Sequence, residues 1–161
     1  MTQNRRQHLA FLGAAAVLPL VPAKARAETV HEVQMLNHHP EDDKKLMVFY
    51  PEILQAQPGD IIRFVSADKN HNSEAYKTML PDGAEHWKSK IGKDFDLPVE
   101  AEGTYGYFCT PHKSWGMVGL LLVGDASTNY EAVKTVRKRG KAKTRFEELF
   151  AEADKILAGE A

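Results

Sequence analysis

The alternation of short apolar runs and turn signals between Thr29 and Val123 limits this part of the chain to a β fold. The runs are only a few residues long, and Pro, Gly and Asp separate them, as in Pro58-Gly59-Asp60 and Glu102-Gly103. Short strands at this spacing are typical of an antiparallel sandwich or a small barrel. The sequence therefore predicts an all-β sandwich over residues 28–124.

The periodicity of apolar residues changes to a helical one within residues 125–158. Tyr130, Val133 and Val136 recur every third residue and predict one helix. A second helix is predicted to begin at Thr144, which opens a capping-box pattern. A segment of about 37 residues is too short for a core of its own, so we expect both helices to pack on the sandwich.

The N-terminus has the composition of an export signal. Arg5 and Arg6 are followed by 15 uncharged residues, Leu9–Ala23, and by an A-x-A cleavage motif at Ala25–Ala27. An uncleaved membrane anchor is the alternative, but the apolar run is shorter than the span of about 18 residues that a membrane needs. We expect a signal peptide at residues 1–27, cleaved after its last residue, and a periplasmic protein. The sequence leaves the choice between the general and the twin-arginine export routes open.

The mature chain, residues 28–161, is mildly acidic. Removal of the signal takes away four basic residues and leaves 17 Lys and Arg against 22 Asp and Glu. The resulting net charge of −5 gives no support for nucleic-acid binding. The length of the mature chain fits one domain with its own core.

Cys109 is the only cysteine, so the chain cannot form an internal disulfide. It opens a short loop that also carries His112 and Met117, and His71 lies 38 residues upstream. A thiolate, two imidazoles and a thioether are the ligands of a blue-copper electron-transfer site, in which the methionine is the weak axial ligand. Such a site keeps no open position for a substrate. We therefore predict one type 1 copper ion in an electron carrier, not in an enzyme, with the ligands His71, Cys109, His112 and Met117.

The neighbouring residues fit this geometry. Pro111 fixes φ and removes a backbone donor near the sulfur, and Gly116 permits the sharp return toward Met117. The segment that carries His71 is turn-like and follows a strand, so this histidine can face the loop. Asn72 is a candidate tie between the two ligand segments, because hydrogen bonds outside the ligand set hold ligands in place.

Other interpretations stay open at the level of single residues. Alone, Cys109 or Met117 would be a core residue, and His71 would be an ordinary loop residue. A structural zinc site would prefer more cysteines and no methionine. A Cys–His nucleophile pair is the enzymatic alternative, but it leaves Met117 unexplained. A copper-binding or delivery module without a redox role is the third alternative, although a closed ligand set argues against it.

At these residues the chain resembles the cupredoxins, and most closely the pseudoazurins. The resemblance covers nearly the whole mature chain, from Glu28 to about Leu157. It implies an eight-stranded Greek-key sandwich with two C-terminal helices and a type 1 copper, and Met47 matches the family residue that packs near the metal. Its most specific pieces are Pro58–Asp60, Asp68–Asn72, Gly83–Glu85, Lys88–Ile91, Cys109–His112 and Gly116–Met117.

The resemblance also implies partners. Pseudoazurins are periplasmic electron carriers that donate electrons to nitrite reductase in denitrification, and some serve other terminal reductases. The expected partners are therefore a nitrite reductase, a nitrous-oxide reductase or a c-type cytochrome, each in transient contact with a monomer. Docking in the family uses an apolar patch around the exposed ligand histidine, which matches His112, and here the patch would include Pro111, Trp115 and Gly116. The lysines around it would be Lys69, Lys77, Lys88, Lys90, Lys93 and Lys113.

The ligand loop also departs from the family pattern. Lys113-Ser114-Trp115 stands where Tyr-Ala-Met is common, and Phe108 replaces a frequent lysine before the cysteine. These changes alter the charge and the aromatic content next to the copper. We expect the ligands to be intact, while the sequence leaves the partner and the reduction potential open.

Overall fold

A computed structural model describes residues 27–160 of the chain. The predicted signal peptide therefore lies outside the described residues, apart from Ala27. Eight strands form two sheets, and two helices follow them. The elements are β1 (Val30–His39), β2 (Asp42–Tyr50), β3 (Ile53–Ala56), β4 (Asp60–Val65), β5 (Glu74–Ala75), β6 (Phe95–Val99), β7 (Gly103–Phe108), a 3-10 turn (Lys113–Trp115), β8 (Val118–Val123), α1 (Ser127–Thr135) and α2 (Gly140–Ala158).

Each sheet has four strands. The first has the order β2-β1-β4-β6, and the second has the order β3-β8-β7-β5. The pairings β1–β4 and β3–β8 are parallel, whereas the other four pairings are antiparallel. The predicted fold class, a β-sandwich of about eight strands with two C-terminal helices, is confirmed.

The main core lies between the two sheets and is rich in aromatic side chains. Phe64 is its centre, since its ring lies 6.1 Å from that of Phe49 and 5.2 Å from that of Tyr107. Trp87 joins the cluster, and its indole N–H donates to the Ser73 hydroxyl at 2.9 Å. Buried aromatic rings remove large apolar areas from water, so this cluster accounts for much of the driving force that joins the sheets.

A second core lies between β8 and the helices. Every residue of β8 is buried, because Leu121 and Val123 face the other sheet while Leu120 and Leu122 face the helices. A strand that is covered on both sides has a continuous apolar sequence. The helices therefore pack on the sandwich, as expected, and form no core of their own. No helix within residues 27–160 has both the length and the apolar character needed to cross a bilayer.

The second helix begins earlier than predicted. It starts at Gly140, and Thr144 is an exposed residue inside it, so the predicted start at Thr144 was wrong. The physical reason is burial, because Ala142 extends the apolar face of Phe146 and Leu149 toward the N-terminus. This extra turn is close to the loop that carries the predicted ligands.

Candidate metal centre

The loop between β7 and β8 is closed by its own backbone hydrogen bonds. The N–H of Cys109 donates to the carbonyl of Met117 at 3.0 Å, and the N–H of Met117 donates to the carbonyl of His112 at 3.2 Å. Gly116 has a φ of 90°, a left-handed conformation that favours glycine, and it ends the 3-10 turn. The loop therefore brings three of the predicted ligand residues to one end of the sandwich.

His71 reaches the same place from the segment between β4 and β5. Its Nδ1 lies 3.7 Å from the Sγ of Cys109 and 3.0 Å from the Nδ1 of His112. The Sγ of Cys109 lies 3.4 Å from the Nδ1 of His112. Three donors bound to one ion at about 2.1 Å would lie about 3.6 Å apart, so this cluster has the dimensions of a single trigonal metal site.

The far ring nitrogen of His71 fixes its orientation. Nε2 lies 3.1 Å from the Oδ1 of Asn37, and an amide oxygen can only accept a hydrogen bond. Nε2 therefore carries the proton, and the lone pair of Nδ1 points into the cluster. Sequence reasoning missed Asn37. The one available signal was an asparagine within a strand, where this residue type is uncommon.

Burial sets the protonation of the cluster. It lowers the pKa of His71 to about 4, with a further lowering by His112, and it also lowers the pKa of His112. Both imidazoles are therefore neutral at pH 7, the form that binds a metal. Burial raises the pKa of the Cys109 thiol, although the backbone N–H groups of Asn72 and His112 donate to the sulfur. A buried thiol with a raised pKa is a poor nucleophile without a metal, which argues against a thiol-dependent enzyme.

Asn72 connects the two segments of the centre. Its side-chain oxygen accepts a hydrogen bond from the N–H of Thr110 at 2.8 Å, and its amide nitrogen donates to the Thr110 hydroxyl at 3.0 Å. The same nitrogen lies 3.2 Å from the carbonyl of Ser89. Asn72 is fully buried, so these hydrogen bonds replace those that its amide would make with water. It thus fixes the position of the residue that follows Cys109.

The remaining residues singled out from the sequence lie around this cluster. Met117 is fully buried in the same apolar core as Cys109, and Met47 packs against that core with a φ of 53°. Pro111 is exposed at the surface of the loop. The structure therefore brings the two histidines and the cysteine into mutual contact range, and both methionines belong to or pack against the core that contains Cys109.

The predicted docking lysines fall into two groups. Lys88 pairs with the carboxylate of Glu74 at 2.9 Å, and Lys113 is half-buried against aromatic rings. The other four are exposed, as Lys88 is, but form no ion pair among residues 27–160, namely Lys69, Lys77, Lys90 and Lys93.

Two apolar side chains are exposed in the segments of the site. Trp115 is 51% exposed on the ligand loop, and Ile91, which the sequence analysis did not include in the docking patch, is 55% exposed. Ile91 precedes Gly92, whose N–H donates to the carbonyl of His71 at 2.8 Å. Only the tertiary contact between these segments indicates that Ile91 belongs to the site.

The comparisons with known proteins agree with this geometry. Residues 35–124 match the model of the copper-binding proteins of the plastocyanin/azurin family. The sandwich and its His–Cys–His cluster thus belong to a copper protein of the cupredoxin class. A curated pseudoazurin from Paracoccus pantotrophus is 45% identical over 147 residues, which cover 91% of this chain and 99% of that protein. The chain belongs to the pseudoazurin family of copper electron carriers.

Solved structures give the same result. The pseudoazurin from Methylobacterium extorquens AM1 is 40% identical, has a TM-score of 0.72 and covers 77% of this chain and 98% of its own. The pseudoazurin from Hyphomicrobium denitrificans is 33% identical, with a TM-score of 0.71 and the same coverage of 77% and 98%. The predicted family, copper cofactor and non-enzymatic role as an electron carrier are therefore confirmed.

Proposed function

We propose that this protein is a periplasmic one-electron carrier whose copper ion is held by His71, Cys109, His112 and Met117. The observation that carries the proposal is the cluster of His71 Nδ1, Cys109 Sγ and His112 Nδ1, which all lie within 4.8 Å of one another. Copper supplies the Cu²⁺/Cu⁺ couple that accepts and releases one electron. The soft sulfur ligands and the imidazoles suit both oxidation states.

The protein contributes rigidity. Asn37 and Asn72 hold the two ligand segments through hydrogen bonds, and Met117 is locked in the core. Ligands that stay in place when the charge of the metal changes cost little reorganisation, and this favours fast electron transfer. The burial of Cys109 also disfavours the copper-delivery alternative, because delivery needs ligands that a partner can reach.

His112 is the best exit for the electron, because it is the member of the cluster that is only partly buried. Pro111 and Trp115 on its own loop are exposed, and Ile91 is exposed on the neighbouring segment. We include Ile91 in the docking patch with the predicted residues. The exposed lysines would steer an acidic partner toward this patch, even though the net charge of the chain is negative. A small, transient interface is sufficient for electron exchange.

The cellular context rests on the N-terminal sequence and on the family. A signal peptide at residues 1–27 would place a mature domain, residues 28–161, in the periplasm. This domain would consist of the sandwich at 28–124 and the helices at 125–158. A nitrite reductase in denitrification is the proposed acceptor, with a nitrous-oxide reductase or a c-type cytochrome as further partners. Mass spectrometry of the exported protein tests the first step, since the proposal requires an N-terminus at Glu28.

Visible absorption and EPR spectra of the copper-loaded protein test the ligand set. We expect an intense thiolate-to-copper band that bleaches on reduction, is absent in Cys109→Ser and is retained with an altered EPR signal in Met117→Leu. Binding of copper without a thiolate band would contradict the proposed site. Exposed His38 provides the matched control, because His38→Gln should leave the spectrum unchanged.

Charge reversal of a single exposed lysine tests the docking surface. Lys90→Glu should slow electron transfer to a copper nitrite reductase at low ionic strength, and the difference from wild type should shrink as salt is added. Lys88 is a poorer choice because its reversal would also break the pair with Glu74. Lys155→Glu near the C-terminal end of α2 is the control, and it is a strict one because it also breaks an exposed pair with Glu152, which contributes little to stability. Equal rates for Lys90→Glu and wild type would place the docking surface elsewhere.

A further inference from the structure

Lys113 does not extend into solvent as a loop lysine usually does. Its Nζ lies 4.1 Å from the ring centroid of Phe108 and 4.2 Å from that of Tyr76. The two ring centroids are 4.5 Å apart, with their planes tilted by 58°. The ammonium group therefore contacts two aromatic rings at once, in a cation–π arrangement.

The charge of Lys113 has no carboxylate in direct contact among residues 27–160. The charge of Glu74 acts on Lys113 without direct contact, but this carboxylate binds the Lys88 ammonium and the Thr110 hydroxyl. Tyr76 stays a neutral phenol, since burial raises its pKa to about 12. The positive charge is therefore held by rings, which do not neutralise it, and it is partly withdrawn from water.

The position of this charge depends on the ligand loop. Lys113 follows His112 directly, and Phe108 directly precedes Cys109. The side chain of Lys113 thus spans the two ends of the ligand loop, and its charge is held on the helix side of β7, at residues that are directly bonded to the ligands Cys109 and His112. Lys90, by contrast, is exposed and has no aromatic ring against its ammonium group among residues 27–160, so water and salt screen its charge.

We propose that Lys113 is an electrostatic residue of the redox centre, held by Phe108 and Tyr76 so that its charge favours the reduced state. The inference rests on the proposed copper site and goes beyond it. Reduction lowers the positive charge of the centre by one unit, and a fixed positive charge nearby is repelled less by the reduced form. A partly desolvated charge acts through a lower effective dielectric constant than an exposed one, so the effect survives at physiological salt.

The test is a redox titration of charge variants against a fixed couple such as ferrocyanide/ferricyanide. In Lys113→Gln the equilibrium constant for reduction of the protein should fall about threefold, as expected for the loss of one partly screened charge. Lys113→Arg should retain the wild-type value, because arginine keeps both the charge and the contact with the rings. Lys143→Gln, which removes an exposed charge on α2, controls for net charge and should leave the constant unchanged.

A second measurement examines the arrangement itself without copper. In the metal-free protein, the ε-methylene protons of Lys113 should show an upfield ring-current shift in the NMR spectrum. Tyr76→Leu should reduce this shift and, in the copper-loaded protein, move the equilibrium constant toward that of Lys113→Gln.

The outcomes separate the two proposals. A missing thiolate band in the wild-type protein would refute the proposed copper site. A normal band with an unchanged equilibrium constant in Lys113→Gln, or a fall of the same size in Lys113→Arg, would refute the role of the Lys113 charge alone. An absent ring-current shift in the metal-free protein would also overturn it.

Discussion

At the scale of single residues, Asn72 shows how one side chain can connect two loops of a metal centre. It bonds both the backbone and the side chain of Thr110, and it also bonds the backbone of Ser89. The sequence pointed to Asn72 because it follows a predicted ligand. It could not identify Thr110 and Ser89 as partners, because they are 38 and 17 residues away.

Truncation of this side chain should weaken the whole centre. In Asn72→Ala the N–H of Thr110 and the carbonyl of Ser89 lose their hydrogen-bond partner, and we expect the free energy of unfolding to fall by about 1–3 kcal/mol. Urea denaturation of the metal-free protein measures this loss. Ser114→Ala, an exposed change in the same loop, should alter stability by less than about 0.5 kcal/mol. Equal stability of the two variants would show that the hydrogen bonds of Asn72 do not contribute to the stability of the protein.

The burial of His71 predicts a pH dependence for the metal-free protein. Its pKa falls from 6.5 to about 4 on folding, so the unfolded chain binds a proton at pH values where the native state does not. Stability should therefore be full above pH 6.5 and decline as the pH falls toward 4. His71→Gln should reduce the slope of the melting temperature between pH 6.5 and 4.5, leaving the part that comes from the lowered pKa of His112, whereas His38→Gln should leave the whole slope in place. An unchanged slope in His71→Gln would contradict this assignment.

At the scale of elements, α2 packs against the ligand loop. A Cβ on Gly116 would lie 3.2 Å from the backbone carbonyl oxygen of Lys141, so helix and loop are in close contact. Arg145 of the same helix pairs with Glu52 at 2.7 Å, and both side chains are largely shielded from water. The helix is thereby joined to the loop and to the segment between β2 and β3.

A comparison of two glycines with nearly the same φ distinguishes the stability lost through the contact with α2 from the stability lost through backbone strain. Gly116 has a φ of 90° and Gly59 a φ of 87°, but a Cβ on Gly59 would meet nothing within 4 Å. Gly59→Ala should lose about 1–2 kcal/mol from the left-handed conformation alone. Gly116→Ala should lose about 1 kcal/mol more, because its methyl group presses on α2. Thermal unfolding of both variants measures the difference in stability. Equal losses of stability would mean that α2 moves to accommodate the methyl group at no cost in free energy.

The start of α2 illustrates what local sequence signals cannot decide. The capping-box pattern at Thr144 is a valid local signal, but the helix begins at Gly140. Burial of Ala142 in the core between the helices and β8 favours the longer helix, and this contact is not visible in the local sequence. The apolar periodicity was sufficient to predict that this helix exists, whereas the position of its first residue depends on how the helix packs.

At the scale of the whole molecule, metal binding and folding should be coupled. The unfolded chain separates His71 from the ligand loop, so copper binds the native state preferentially and stabilises it. Copper at a thousandfold excess over its dissociation constant should add about 4 kcal/mol to the free energy of unfolding. Calorimetry of the metal-free and copper-loaded proteins measures the shift in melting temperature. A shift of equal size in Cys109→Ser would show that copper binds elsewhere.

Local sequence signals were sufficient to predict the sandwich, the two helices and the ligand types, because turn residues, apolar periodicity and donor chemistry are local properties. The sequence also named His71, Cys109 and His112, whose donor atoms the fold brings within 4.8 Å of one another. Three other features depend on the packing of the folded chain: Asn37 orients His71, Ile91 is exposed beside the site, and Lys113 lies against Phe108 and Tyr76. These contacts join segments far apart in the chain, and their geometry depends on how both sheets and α2 pack together.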